Sequence, residues 1–125
     1  MESIKDKMFA EAFELKNVNK IDAAIEAFKK IDKEFVDDKI ATNMIAGLYY
    51  SEKADAESAL PYARKGVKLL PKSELASLCL FSCLHDLGNV DEAEEEIKRY
   101  VCLGGKIKDY KILFDENNLT EEDFK

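Results

Sequence analysis

Apolar residues recur at intervals of three and four in several segments of the chain, which is the spacing of one face of an α-helix. One such stripe lies among charged residues and consists of Ala59, Tyr62, Ala63, Gly66, Val67 and Leu70. Two other stretches, 40–50 and 75–84, are apolar almost all round, and helices of that kind must be buried on more than one side. No stretch shows the sustained apolar–polar alternation of a half-buried strand. The pattern predicts an all-α protein.

The helical pattern repeats along the chain. Residues 40–72 align without a gap with residues 74–106, which places Ala54 on Gly88 and Ala59 on Ala93. A third, more divergent copy covers residues 5–38. Each copy consists of two predicted helices joined by a short polar turn, and hairpins of this kind stack on their neighbours in repeat proteins.

After residue 105 the repeat stops, and a further apolar stripe begins. It consists of Ile107, Tyr110, Ile112, Leu113 and Phe114. Because a terminal repeat leaves an apolar face uncovered, we expect this segment to form a cap. The predicted fold is an all-α, α–α superhelix (solenoid) of three helical hairpins, 5–38, 40–72 and 74–106, with a C-terminal capping helix. These parts form one domain, 1–125, with the cap in 107–125, where Thr120 and Asp123 also predict a short helical turn.

Capping residues predict where some of these helices begin. Asp55 or Ser58 can cap the second helix of the second copy, and Asn89 or Asp91 can cap that of the third. If Ser58 is the cap, Pro61 lies in the first helical turn, where its missing N–H would have no partner in any case.

Small residues predict close contacts between the two helices of a hairpin. Gly47 is expected to lie against Ala59, and Ala12 against Ala24. Gly88 and Gly104, with its neighbour Gly105, are expected to mark helix ends.

This pattern resembles the tetratricopeptide repeat (TPR) family, over residues 5–106. The resemblance rests on residues of the second and third copies, which are Gly47, Tyr50, Ala59, Pro71, Gly88 and Ala93. It implies that the first helices of the hairpins line a concave surface that binds an extended peptide or a helix of a partner protein. Projected onto this chain, that surface consists of Phe9, Phe13, Met44, Leu48, Ser51, Leu75, Leu78, Ser82 and His85.

The predicted groove is mostly apolar. TPR domains that bind the C-terminal carboxylate of chaperones carry Lys, Arg and Asn there. The matching residues of this chain are Phe9, Phe13, Ile45, Leu75 and Cys79. Chaperone tails are therefore not the expected partner.

Composition and charge narrow the range of partners. Of the 125 residues, 46% are apolar and 36% are charged, with a formal net charge of -7. Nucleic acids and anionic membranes bind to positive surfaces, so we expect neither as a partner. A basic protein would suit this charge. The stretch 75–84 is the longest nearly uncharged one and is much shorter than the ~20 residues that span a bilayer.

The three cysteines, Cys79, Cys83 and Cys102, show no C-x-x-C spacing and are predicted to be buried, reduced thiols of a cytoplasmic protein. The charged N-terminus does not resemble a secretory signal. With His85 as the only histidine, the sequence contains no triad, phosphate-binding loop or metal-ligand motif. We therefore expect no enzyme activity, no metal and no cofactor.

An acidic cluster in the third copy offers a second candidate surface, which consists of Asp91, Glu92, Glu94, Glu95 and Glu96. It is either a solvated helix face or a negative patch that steers a basic partner.

The sequence thus predicts a protein-interaction module that binds a partner through its apolar groove. Two narrower roles are alternatives: an immunity protein or antitoxin that neutralises a basic, nuclease-type toxin, and a chaperone for secreted effector proteins. The groove could instead be covered in part by the chain's own C-terminal segment, through Tyr110, Leu113 or Phe114. Homodimerisation through the same surface is a further alternative.

Overall fold

Seven α-helices follow one another along the part of the chain that the computed structural model describes, residues 3–124. Their bounds are α1 Ile4–Asn17, α2 Ile21–Glu34, α3 Lys39–Gly47, α4 Ala56–Leu69, α5 Glu74–Asp86, α6 Val90–Cys102 and α7 Tyr110–Glu116. A π-helical turn, Leu48–Glu52, follows α3, and a 3₁₀ turn, Glu121–Phe124, follows α7. No β-strand occurs between residues 3 and 124. The prediction of an all-α protein is confirmed, as is the short turn near the C-terminus, where Asp123 accepts a hydrogen bond from the backbone N–H of Thr120.

Side-chain caps determine where four of the helices begin. The hydroxyl of Ser3 accepts a hydrogen bond from the backbone N–H of Asp6 and starts α1. Asp38 caps α3 by accepting from the N–H groups of Ile40 and Ala41, and Ser73 caps α5. Such caps stabilise a helix start by about 1 kcal/mol, because they satisfy N–H groups that have no partner within the helix.

Asp55 caps α4, because its carboxylate accepts a hydrogen bond from the backbone N–H of Ser58. Of the two predicted caps, Asp55 is therefore the correct one. As a consequence Pro61 lies in the second turn of α4 rather than in the first, so the helix lacks one internal hydrogen bond there. For α6, Asn89 occupies the cap position without a side-chain hydrogen bond, and Asp91 lies in the first turn.

Each helix packs against its neighbours in the chain, and the apolar side chains form three connected clusters. The first joins α1, α2 and α3 around Phe28, and the second joins α3 to α6 around Ala59 and Leu84. The third joins α6, α7 and the 3₁₀ turn around Tyr100 and Tyr110. Shared side chains at the cluster boundaries make the core continuous from α1 to the 3₁₀ turn.

At Gly66, α4 closely approaches the side chain of Asn43 on α3. A Cβ atom added at Gly66 would lie 2.3 Å from the side-chain oxygen of Asn43, whereas one added at Gly47 would have no atom within 4 Å. The side-chain position of Gly47 therefore faces open space, and the contact of Gly47 with Ala59 stays a prediction. Ala12 and Ala24 are fully buried in the first cluster, as their predicted contact requires.

A buried polar network joins the third hairpin to α7. Ser77 of α5 donates a hydrogen bond to the carboxylate of Glu96, with 2.5 Å between the oxygens. Because the single Ser77 proton is used there, the hydroxyl of Tyr110, 2.8 Å away, donates to the Ser77 oxygen. Arg99 donates from two nitrogens to Glu96, each at 2.7 Å. Burial raises the pKa of Tyr110, which keeps its hydroxyl protonated as a donor.

The carboxylate of Glu74 makes a second connection between α5 and α7. One of its oxygens accepts hydrogen bonds from the backbone N–H groups of Asp109 and Tyr110, at 2.9 and 3.0 Å. An anion here satisfies free N–H groups at the start of α7 and interacts favourably with its dipole. The seven-residue α7 is thus held in place by side chains of α5.

Loss of the Glu96 carboxylate should weaken the whole C-terminal half. In Glu96→Ala, the Arg99 guanidinium and the Ser77 hydroxyl lose a buried partner, and we expect the free energy of unfolding to fall by about 2–3 kcal/mol. Urea unfolding followed by circular dichroism measures this change. Glu95→Ala, which alters an exposed neighbour, should change it by less than about 0.5 kcal/mol. Equal midpoints for the two variants would contradict a structural role of Glu96.

The turn between α3 and α4 provides a second test of the fold. Ala54 has φ of 50°, in the left-handed region, and the aligned Gly88 has φ of 83°. An L-residue pays about 1–2 kcal/mol for this conformation, so Ala54→Gly should raise the free energy of unfolding by about 0.5–1 kcal/mol after the entropy of glycine is subtracted. The same change at Ala10, exposed in the middle of α1, should lower it by about 1 kcal/mol. Thermal and urea unfolding of both variants measure whether the free energy of unfolding changes in opposite directions.

Candidate interaction groove

An open groove of about 520 Å³ lies between α3 and α5. Its walls come from α3 with the π-helical turn, from α5, and from the segment between α4 and α5. The residues that line it are Lys39, Ile40, Asn43, Met44, Gly47, Tyr50, Ser51, Leu70, Ser73, Leu75, Ala76, Leu78, Cys79 and Ser82. We call this feature the α3/α5 groove. Lys39 is its only lining residue with a formal charge, and most of the rest of its surface is apolar.

The C-terminal ends of α3 and α5 meet beside the groove. The hydroxyl of Tyr50, just after α3, donates a hydrogen bond of 2.8 Å to the carboxylate of Asp86, the last residue of α5. This contact brings the C-terminal ends of the two helices together. Ile40 and Leu75, near the starts of α3 and α5, also line the groove. They are 55% and 70% exposed, so the groove presents two large apolar side chains to solvent.

Five of the nine predicted groove residues line the α3/α5 groove. They are Met44, Ser51, Leu75, Leu78 and Ser82. Leu48 does not: it is 3% exposed and belongs to the first core cluster, so its side chain is not available to a partner. Leu48 is the first residue of the π-helical turn that follows α3.

The remaining predicted residues lie elsewhere. Phe9 and Phe13 of α1 are half-buried and contact Phe28 of α2, with ring centroids 6.2 and 5.2 Å away. They therefore contribute to the first core cluster and do not line the groove. His85 does not line the groove, and its ring is tilted by 33° against that of Phe81, with 5.7 Å between the centroids.

Sequence reasoning missed Ile40 and Tyr50 as groove residues. A signal for Ile40 was present, because Ile40 and Leu75 are both the second residue after a capping residue, Asp38 and Ser73. Aligning the copies by their helix caps would have paired the two. No signal indicated the π-helical turn that places Tyr50 at the groove.

A smaller pocket of about 310 Å³ adjoins the groove and shares Tyr50 and Ser82 with it. It lies between α5 and the C-terminal segment, and we call it the aromatic pocket. Its residues are Tyr50, Phe81, Ser82, His85, Asp86, Ile97, Leu113, Phe114, Asn117, Leu119 and Phe124.

The C-terminal segment covers one side of α5 without entering the groove. The third core cluster contains Tyr110, Phe114 and Phe124, and Leu78 and Phe81 of α5 pack against it. None of the residues that line the α3/α5 groove comes from α7 or the 3₁₀ turn. The C-terminal segment therefore covers the groove only at its edge, where Leu78 packs against the third core cluster.

The predicted acidic patch is smaller than the sequence suggested. Glu96 is 6% exposed and belongs to the buried network, so it is not part of a surface patch. Glu92 pairs with Arg64 of α4, and Glu94 forms an ion pair of 3.6 Å with Lys98. Asp91 and Glu95 are exposed and have no ion pair within the described part of the chain.

The cysteines differ in their surroundings. Cys83 is buried and Cys79 is half-buried at the groove, but Cys102 is exposed, contrary to the prediction that all three are buried. The hydrogen bond with Cys79, together with burial, raises the pKa of the Cys83 thiol, which makes that thiol unreactive. Residues 3–124 contain no group of three or more His, Cys, Asp or Glu side chains placed to hold a metal ion.

None of the helices that the structure describes combines the length and the apolar character needed to cross a membrane. Compared with known proteins, the chain matches no protein-family model and no curated protein.

Proposed function

We propose that this protein is an interaction module that binds an apolar segment of a partner protein in the α3/α5 groove. The observation that carries the proposal is the exposure of Ile40 and Leu75 on either side of an apolar groove. Isolated apolar side chains are common on protein surfaces, but side chains gathered around a concave apolar surface are typical of binding sites. A helix or loop of a partner that presents apolar residues at helical spacing would bury both of them.

The proposal includes the α–α superhelix of three helical hairpins that the repeats predict. The pairs α1/α2, α3/α4 and α5/α6 correspond to the three predicted hairpins, and α7 follows them where the cap is expected. A stack of TPR-like hairpins would place α3 and α5 side by side and in the same direction, in agreement with the contact of Tyr50 with Asp86. The three unpaired cysteines favour a reducing compartment such as the cytoplasm for this interaction.

Of the two narrower roles, the groove favours a chaperone of secreted effectors over an immunity protein. Binding to a basic toxin would draw on the acidic side chains of α6, and the structure places Glu96 in the core and pairs Glu92 with Arg64. Affinity for an apolar segment in the groove should respond little to salt, whereas binding through carboxylates should weaken steeply as salt rises.

Charged substitutions at the groove test the proposal. Ile40→Glu and Leu75→Glu should each weaken partner binding at least about tenfold, which corresponds to 1.4 kcal/mol, because a carboxylate cannot be buried in the apolar contact. Both side chains are exposed, so the fold should tolerate the changes. Affinity capture with mass spectrometry identifies the partner, and titration with the purified partner gives the affinities.

Ile112→Glu is the matched control, since Ile112 is 60% exposed on α7 and lies outside the groove. It should bind the partner like the unmodified chain. Sedimentation at several concentrations distinguishes a second copy of the chain as the occupant. The proposal fails if both groove variants bind the partner as tightly as the control does.

A further inference from the structure

The aromatic pocket combines apolar walls with a single carboxylate. Phe81 and Ile97 contribute from α5 and α6, and Phe114 and Phe124, stacked at 5.2 Å between ring centroids, contribute from the C-terminal segment. At about 310 Å³ it is at the lower end of the roughly 300–1,000 Å³ of ligand pockets. It therefore has room for one long side chain, but not for a folded segment.

Asp86 supplies the negative charge at this pocket. No lysine or arginine is among the residues that line it, and Asp86 has no ion-pair partner within residues 3–124. Its carboxylate is held by the Tyr50 hydroxyl, which leaves further acceptor positions on the carboxylate for a ligand. The π-helical turn, a feature that is often found at functional sites, contains Tyr50 and so helps to orient Asp86.

At two other places, lysine side chains of the chain itself form cation–π contacts with aromatic rings. The Lys5 ammonium lies 5.2 Å from the ring centroid of Phe35, and the Lys29 ammonium lies 5.1 Å from that of Tyr49. The rings of the aromatic pocket have no such cation from the described part of the chain. A carboxylate among aromatic side chains suits a guanidinium group, which packs against aromatic rings and donates two hydrogen bonds to the carboxylate.

We propose that the aromatic pocket receives an arginine side chain of the partner whose apolar segment occupies the α3/α5 groove. This inference rests on the proposed function. The groove and the pocket share Tyr50 and Ser82, so one continuous segment can fill the first with apolar residues and extend a basic side chain into the second. The partner's segment is thereby defined as apolar with an arginine at one end. The net charge of -7 attracts such a segment.

The pocket can be tested without the partner. N-acetyl-arginine amide is titrated into the ¹⁵N-labelled full chain, and N-acetyl-citrulline amide, its neutral isostere, is titrated in parallel. The arginine probe should shift the amide signals of His85, Asp86 and Asn117 in a saturable manner. The citrulline probe should bind at least about tenfold more weakly, because it lacks the charge that pairs with Asp86.

Variants of the pocket sharpen the test. Asp86→Asn should abolish the preference for arginine over citrulline, and Asp86→Glu should retain part of it. Tyr50→Phe keeps the ring but releases the carboxylate, so it should reduce the preference severalfold. Glu11→Gln removes a charge from an exposed position on α1 and should leave the preference unchanged.

Two results would overturn the inference. One is equal binding of the two probes, and the other is an arginine preference that persists in Asp86→Asn with shifts spread over the exposed carboxylates of α6. The groove is tested separately by Ile40→Glu and Leu75→Glu. If those variants lose the partner while the arginine probe fails, the proposed function stands and the pocket inference falls. If the groove variants keep the partner while the arginine probe binds, the proposed function is rejected and the inference falls with it, and only a guanidinium-binding pocket remains.

Discussion

Burial of α5 is the constraint on which the C-terminal half of the molecule depends. This helix is apolar on almost every side, so no single neighbour can cover it. α4 and α6 each cover one face, and α7 with the 3₁₀ turn covers another through Leu78 and Phe81. A helix as short as α7 is not stable alone, and it keeps its place because Glu74 caps it and Ser77 bonds Tyr110. The face of α5 that remains, towards α3, forms a wall of the groove.

The α3/α5 groove and the aromatic pocket are therefore two consequences of one arrangement. Tyr50 stands between them, because the π-helical turn at the end of α3 directs its ring towards α5. On one side of this residue the surface is apolar and long, and on the other it is aromatic, small and negatively charged. A partner that bound only in the groove or only in the pocket would leave the other exposed to solvent.

The distribution of charge depends on tertiary contacts in the same way. In the sequence, the carboxylates of α6 form one cluster. In the structure, Glu96 is buried with Arg99 and Ser77, and Glu92 is joined to Arg64. Two of the five carboxylates, Glu92 and Glu96, thus contribute to the packing of α4, α5 and α6. Asp86, which is isolated in the sequence, becomes the carboxylate with a free approach from an aromatic cavity.

Local patterns in the sequence determined the helices and several of their boundaries. The spacing of apolar residues predicted an all-α chain, Asp55 was among the predicted caps, and Gly88 and Gly104 have the positive φ angles expected at helix ends. These features depend on neighbours within a few residues, so periodicity and capping rules suffice to find them. The TPR resemblance, rather than spacing, gave the nine predicted groove residues, and the five that line the groove come from both of its helical walls.

Only the tertiary structure decided which apolar faces were left open. Phe9 and Phe13 have the same pattern as groove residues but pack on Phe28, and Leu48 is buried in the first core cluster. Glu96 and Glu74 look like surface carboxylates, yet both bond groups far away in the sequence. Helix periodicity identifies an apolar or charged face, but which neighbour covers that face depends on the packing of the whole chain.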